Sequence, residues 1–388
     1  MPAALRDGWR REWRFLRASF WDLSLVSWIP LLLLAVVAVQ MAAGVMRDLP
    51  VVVVDRDGGG IARDLVRRLD AAPGIEVVER AADMSAAEQA VRSRRAYAVV
   101  LIDAATTRTV LRGGTAPVVV FYNASYSTAS GAALREIGAV FQAQAADLAR
   151  TQSAAILGPA TVRAAPIAVR STVLFNPQGS YELQLVALVH PALLHLIFMV
   201  AITGALGREL RDGTIGAWLG GLDRREAALA VCGKLLPYFI IFMGWATVAT
   251  VYLAGLRGWP VVGSVALLMA GYAAMYLAYV GVALLFLGLT LTMSTALSLA
   301  GLYAGASFAF AGAIFPIESA SAFARLWSAI LPYSAFARLL AEQWIMGSGA
   351  RGALWQIAVM LLFLIVGVVI GLPRYLAAAG HPGTWGRR

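Results

Sequence analysis

Between Gly258 and Ile317 the chain runs for 60 residues without a single Asp, Glu, Lys or Arg. As one helix this stretch would extend about 90 Å at about 1.5 Å per residue, roughly three times the hydrocarbon thickness of a bilayer. It therefore predicts two membrane-crossing helices joined by a turn near Thr290–Ser294. Four further charge-free intervals are each long enough for one span: Asp22 to Arg47, Glu182 to Arg208, Lys234 to Arg257 and Arg351 to Arg374. Six spans follow. Composition agrees, with 60% apolar and only 14% charged residues, against about 45–50% and about 25% in soluble domains. A mean hydropathy of +0.73 excludes a disordered chain or a purely soluble enzyme. The fold class is a polytopic α-helical membrane protein.

The formal net charge of +10 tells less than its placement. Residues 47–182 carry fifteen Arg and thirteen acids and are close to neutral. Elsewhere the cations cluster beside apolar runs. Arg6, Arg10, Arg11, Arg14, Arg17, Arg208, Arg211, Arg224, Arg225, Lys234, Arg374, Arg387 and Arg388 fall on one side of the six-span arrangement, and only Arg257, Arg325, Arg338 and Arg351 on the other. Short loops rich in Lys and Arg stay in the cytoplasm, so both termini are expected there and residues 47–182 outside. This is a topology signal and does not point to nucleic acid. The single Cys232 excludes an internal disulfide.

Residues 1–22 read as an amphipathic helix on the cytoplasmic side, with Trp9, Trp13, Leu16 and Phe20 opposite Arg10, Arg14 and Arg17; such a helix lies among lipid headgroups, and an ordinary basic topology signal is the alternative reading. The first span is placed at 23–46. Residues 47–182 read as an extracytoplasmic α/β domain. Its expected strands are Leu49–Val54, Ile75–Val78, Tyr97–Ile102 and Pro117–Tyr122. Helices are expected after Gly60, over Ser85–Arg94 and over Ser127–Ser153, and an extended stretch over Ile167–Phe175. Gly58-Gly59-Gly60 lacks phosphate-loop spacing and reads as a turn. Residues 183–373 form a five-helix membrane region, with a cytoplasmic segment at 207–234 and an outer re-entrant segment at 316–350; 374–388 is a cytoplasmic tail.

Catalytic motifs are missing from the sequence. The only Lys, Lys234, lacks the upstream Gly and following hydroxyl of a phosphate loop. His190 and His195 are five apart, outside the spacing that pairs two ligands on one helix face. The predicted spans also lack the Asp, Glu and Lys that ion-coupled carriers keep inside the membrane. A transport subunit driven from outside the chain is favoured, with a secondary carrier, or a membrane-anchored receptor using residues 47–182, as the alternatives.

Six short stretches carry a resemblance. Asn176-Pro177 precedes the second span, and Arg208-Glu209-Leu210-Arg211-Asp212-Gly213-Thr214 follows it. Next come Leu222-Asp223-Arg224-Arg225-Glu226 and Gly233-Lys234-Leu235-Leu236-Pro237-Tyr238. Phe310-Ala311-Gly312-Ala313-Ile314-Phe315-Pro316 and Leu331-Pro332-Tyr333 complete the set. In this order they resemble the membrane subunit of bacterial ABC type-2 exporters with a periplasmic domain. The chain departs from that pattern at Gly216, Gly220-Gly221-Leu222 and His190-Pro191. The resemblance implies a permease of the bacterial inner membrane that moves a hydrophobic or amphiphilic substrate outward. It implies no cofactor in this chain, with ATP and Mg on a partner ATPase, and pairing with itself or a second permease. A periplasmic adaptor is a further partner it allows. It places coupling at Arg208, Glu209, Arg211, Asp212, Gly213 and Thr214, with Glu209 and Asp212 on one helix face toward the ATPase. The second cytoplasmic signature is Asp223, Arg224, Arg225, Glu226, Gly233 and Lys234. A substrate path is expected along His190, Met275, Tyr276, Tyr279, Phe308 and Phe310, with packing or lipid-facing roles as the alternative, and an outer gate at Phe315, Pro316, Pro332 and Tyr333.

Overall fold

A computed structural model describes residues 2–157, 175–312 and 317–386. The chain opens with α1 (Ala3–Ala18), α2 (Phe20–Val26) and α3 (Trp28–Gln40). Ser19 separates the first two: its backbone is extended, and its side chain accepts from the Asp22 amide. A second break falls at Ser27. Phe20, Trp21, Trp28, Leu32 and Val39 are largely exposed along α2 and α3, the pattern of a face against lipid rather than water.

Ala43–Ser180 forms one compact unit and the rest of the chain another. Within the first of these lie β1 (Leu49–Asp55), α4 (Gly60–Asp70), β2 (Ile75–Arg80), α5 (Met84–Arg92), β3 (Ala98–Ile102), α6 (Thr106–Leu111), β4 (Val118–Tyr122) and α7 (Ser127–Leu157). The sheet order is β2-β1-β3-β4. β1 runs parallel to β2 and β3, and β4 is antiparallel to β3. The four consecutive valines of β1 are all buried, because both faces of this central strand are covered. Val51, Val53, Val100 and Ile102 face Leu65, Leu69 and Ile137, while Val52, Val54 and Val99 face Ala87 and Ala90. The short α6 has no counterpart in the sequence reading. It starts after Ala105 in a left-handed conformation and offers no apolar period to detect. The expected extended stretch Ile167–Phe175 lies outside the described residues up to Leu174.

The remaining helices are α8 (Tyr181–Arg211), α9 (Ile215–Leu219), α10 (Arg224–Val251), α11 (Val265–Thr290), α12 (Met293–Phe310), α13 (Ala322–Ala329), α14 (Pro332–Leu340), α15 (Ala350–Val366) and α16 (Leu372–Ala377). Six stretches among the described residues are long and apolar enough to cross a membrane: Phe20–Gln40, Tyr181–Arg211, Arg224–Leu256, Val265–Thr290, Met293–Phe310 and Ala350–Gly380. The 60-residue uncharged interval does fold back on itself. Leu291 at φ 49° turns the chain between α11 and α12. Helix α8 is the centre of this unit, packed against α3, α10, α11 and α12. Helix α11 meets the last span through small residues. A Cβ on Gly281 would strike the Phe363 carbonyl, and one on Gly288 would strike Gly371. Without a strong hydrophobic drive between helices in lipid, such close backbone approach supplies the packing.

Candidate functional site

The last turn of α8, the first turns of α10 and the amphipathic α1 converge on a buried cluster of ions. Gly8, Glu12 and Leu16 recur at i, i+4 and i+8 and form the buried stripe of α1. That stripe lies on α10 at backbone distance. A Cβ on Gly8 would collide with the Ala230 carbonyl, and one on Gly233 with the Leu5 carbonyl. The approach carries Glu12, fully buried, to Lys234, which is 1% exposed. The Lys234 ammonium donates to Glu12 Oε2 at 2.5 Å and to Glu209 Oε1 at 2.7 Å. The other Glu12 oxygen accepts from the Arg208 guanidinium and from the Tyr238 hydroxyl, the latter at 2.5 Å. Glu209 also accepts from Arg11 (2.8 and 3.2 Å) and from the Thr214 hydroxyl. Arg208 reaches Asp22 at 3.3 Å and lies over the Phe15 ring, 3.3 Å from its centroid.

Three carboxylates (Glu12, Asp22, Glu209) thus meet three cations (Arg11, Arg208, Lys234), and the cluster is neutral. Closure matters more than any pair energy. Buried pairs return little net stability over an apolar filling, but losing one partner strands a charge and costs about 3–5 kcal/mol. The arrangement therefore ties α1, α8 and α10 into one relative position.

The coupling residues named from the sequence divide in two. Arg208, Glu209 and Thr214 enter this cluster, while Arg211 and Asp212 are exposed and pair with each other at 2.7 Å. The expected shared outward face of Glu209 and Asp212 is not formed. Glu209 is 3% exposed, and α8 ends at Arg211, so Asp212 already lies in the turn that Gly213 closes at φ 67°. Gly216, a departure from the family pattern, has a packing reason: the Trp385 ring fills the place its side chain would take. Trp218, on the same short α9, faces the other way, with the Lys234 ammonium 5.1 Å and the Arg11 guanidinium 5.8 Å from its ring centroid.

Of the second signature, Asp223 and Glu226 form a reciprocal capping box at the start of α10. This local task satisfies backbone N–H groups that a helix start leaves free. Arg224 and Arg225 are exposed. Gly233 admits α1, and Lys234 joins the ion cluster.

The expected substrate path is not an open one in this chain. Met275, Tyr276 and Tyr279 are completely buried. Tyr276 packs on Phe198 and Phe242, and Phe310 on Phe323 and Trp327. Phe308 is half-buried. His190 is held by the Leu34 carbonyl at 3.2 Å. An apolar groove of about 290 Å³ lies instead beside Val282, Phe286, Tyr303, Ile330, Leu362 and Val366. Of the residues expected to form an outer gate, Pro332 begins α14, and the buried Tyr333 donates to the Leu188 carbonyl at 2.6 Å. Phe315 and Pro316 lie outside the described residues.

Sequence reasoning missed Glu12, Asp22, Trp218 and Trp385. For Glu12 a signal existed: it is an acid on the same stripe as Gly8 and Leu16 in a helix otherwise rich in Arg. It also missed that His195 is sandwiched between Tyr279 and Tyr333, with ring centroids 4.6 and 4.8 Å away. Outside the membrane-spanning stretches, Asp57 is held below the usual carboxylate range, chiefly by the Thr107 hydroxyl.

No curated protein sequence matches the chain at a significance that marks a relative. A family model described as "ABC-2 family transporter protein" matches residues 20–372, from the start of α2 to the start of α16. Helix α1 precedes that stretch. The match agrees with the resemblance carried by the Gly213-Thr214 and Gly233–Tyr238 segments, and the chain belongs to the ABC-2 transporter family, whose members are permeases of ABC transporters.

Proposed function

We propose that this permease is the membrane half of a bacterial inner-membrane exporter that moves a hydrophobic or amphiphilic substrate outward. ATP hydrolysis on a separate ATPase, docked at the cytoplasmic face, drives it. The observation that carries this reading is the buried ion cluster: Lys234 joins Glu12 of α1 to Glu209 of α8. Thr214 and Trp218 attach the short α9 to the same group. A force applied by an ATPase at α9 and the exposed Arg211, Asp212, Arg224 and Arg225 would reach three helices at once. In this reading the topology is N-inside, and Ala43–Ser180 is extracytoplasmic. A paired copy or second permease completes the substrate path. Open space beside Gly301 and Gly305 on α12 supports close pairing there, since small residues let membrane helices approach. Val119, Phe121 and Tyr122 of β4, all more than 40% exposed, support an adaptor contact on the α/β unit.

The test is ATP-driven uptake of a lipophilic dye into inverted vesicles containing the permease and its ATPase. A photo-crosslinker at Arg224 should capture a polypeptide with a phosphate-loop lysine. The purified permease alone should hydrolyse no ATP. ATP hydrolysis by the permease alone, or reaction of Arg224 positions only from the outer face, would overturn the proposal.

A further inference from the structure

The buried stripe of α1 is accounted for by the ion cluster, but the opposite face is not. Arg6, Arg10, Arg14 and Arg17 are all exposed there, and among the described residues none of the four forms an ion pair. Arg14 donates only to the Arg10 carbonyl at 3.3 Å, and Arg17 lies 5.8 Å from the Trp13 ring centroid. Trp9 and Trp13 meet edge to face, 5.8 Å between centroids. Together with Arg10, Arg14 and Arg17 they border a shallow hollow of about 480 Å³.

Four exposed guanidinium groups with no carboxylate paired to them among the described residues are free to take anions from outside the chain. The surface that follows in the chain indicates which ones. One residue beyond α1 begins the exposed apolar face of Phe20 (72%), Trp21 (79%) and Trp28 (68%). Half-buried tryptophans beside such a face sit at headgroup level. Arginines placed next to them reach phosphates, which they bind through paired N–H groups. We propose that Arg10, Arg14 and Arg17, framed by Trp9 and Trp13, bind the phosphate headgroup of an anionic phospholipid. Its occupancy holds α1 in the position that delivers Glu12 to Lys234 and Arg208. A protein partner on this face is the competing occupant. Continuity with the lipid-facing aromatic surface favours lipid, as does the attraction of a basic helix to an anionic leaflet. The proposal rests on the chain being membrane-embedded and does not depend on transport direction or on the ATPase.

The permease, stripped of lipid in mild detergent, is titrated with phosphatidylglycerol, phosphatidylcholine and inorganic phosphate, and binding is read by native mass spectrometry and by the thermal midpoint. The wild type should retain phosphatidylglycerol at least tenfold more tightly than phosphatidylcholine and gain midpoint from it, with inorganic phosphate giving no comparable shift. The Arg10→Gln/Arg14→Gln/Arg17→Gln variant should lose that preference. The matching triple Lys variant should keep part of it, and Arg224→Gln/Arg225→Gln all of it. Equal retention of the two lipids overturns the proposal. So does full competition by inorganic phosphate, or a triple Gln variant that keeps its phosphatidylglycerol but loses co-purifying ATPase.

Discussion

Replacing Glu12 by Ala is the sharpest test of the ion cluster. The substitution removes a completely buried carboxylate that accepts from Lys234, Arg208 and Tyr238. Lys234 keeps Glu209 at 2.7 Å and Arg208 keeps Asp22 at 3.3 Å, so one positive charge is left uncompensated rather than two. The penalty therefore falls at the low end of the range for breaking a buried pair, about 3 kcal/mol, or about 100-fold in the folding equilibrium. At roughly 2 °C per kcal/mol for a chain of this size, the thermal midpoint in detergent should drop by about 6 °C. Fluorescence-detected size exclusion after heating reads this directly, with the exposed Asp7→Ala as the comparison. Lys234→Met alone should also destabilise, because Glu12 then keeps only Arg208 and Tyr238. The two together restore neutrality. Contacting residues couple by roughly 0.5–3 kcal/mol, so the double variant should melt clearly above the sum of the single losses. Strict additivity, or an effect of Glu12→Ala no larger than that of Asp7→Ala, would refute a direct Glu12–Lys234 pair.

Gly8→Val should force α1 off the Ala230 carbonyl, lowering the midpoint and, by loosening the α1 backbone, speeding tryptic cleavage after Arg10 and Arg14; unchanged cleavage would mean that α1 and α10 are not in backbone contact. Trp385→Ala should loosen α9 and speed tryptic cleavage at Arg211 and Arg224 several-fold, and Gly216→Glu should do the same by displacing the ring; neither effect is expected if Trp385 is not seated there. In the α/β unit, Asp57 has a lowered pKa, so its contribution is present above the ordinary carboxylate range and is lost as pH falls through the lowered value. Thr107→Val should shift that loss to higher pH and accelerate amide exchange at Gly59 and Thr107; an unchanged pH profile would remove the role of the Thr107 hydroxyl. Cys232, exposed on α10, should react with an impermeant maleimide in inverted vesicles and not in spheroplasts, and the reverse would invert the proposed topology.

The six spans were legible because the bilayer imposes a one-dimensional rule. Each crossing needs about 20 apolar residues without charge, and the uncharged interval from Gly258 to Ile317 can meet it only as a hairpin. The strands of Ala43–Ser180 were legible for a similar local reason, since Val51–Val54 and Val118–Tyr122 are short apolar β-branched or aromatic runs ended by turn residues. The site was legible only in part. Arg208, Glu209 and Lys234 stood out as charges at span ends, where surface exposure is the ordinary outcome. That they are buried together depends on Glu12, 196 residues from Arg208 and 222 from Lys234. No local pattern links residues so far apart. What brings them together is the absence of side chains at Gly8 and Gly233, which lets α1 lie on α10 at backbone distance, and the turn at Gly213, which sends Asp212 outward while Glu209 stays inside. Helix periodicity places each residue on a face, but which faces meet is decided by packing. Only the tertiary structure turns five scattered charges from α1, α8 and α10, with Asp22 of α2, into one neutral cluster.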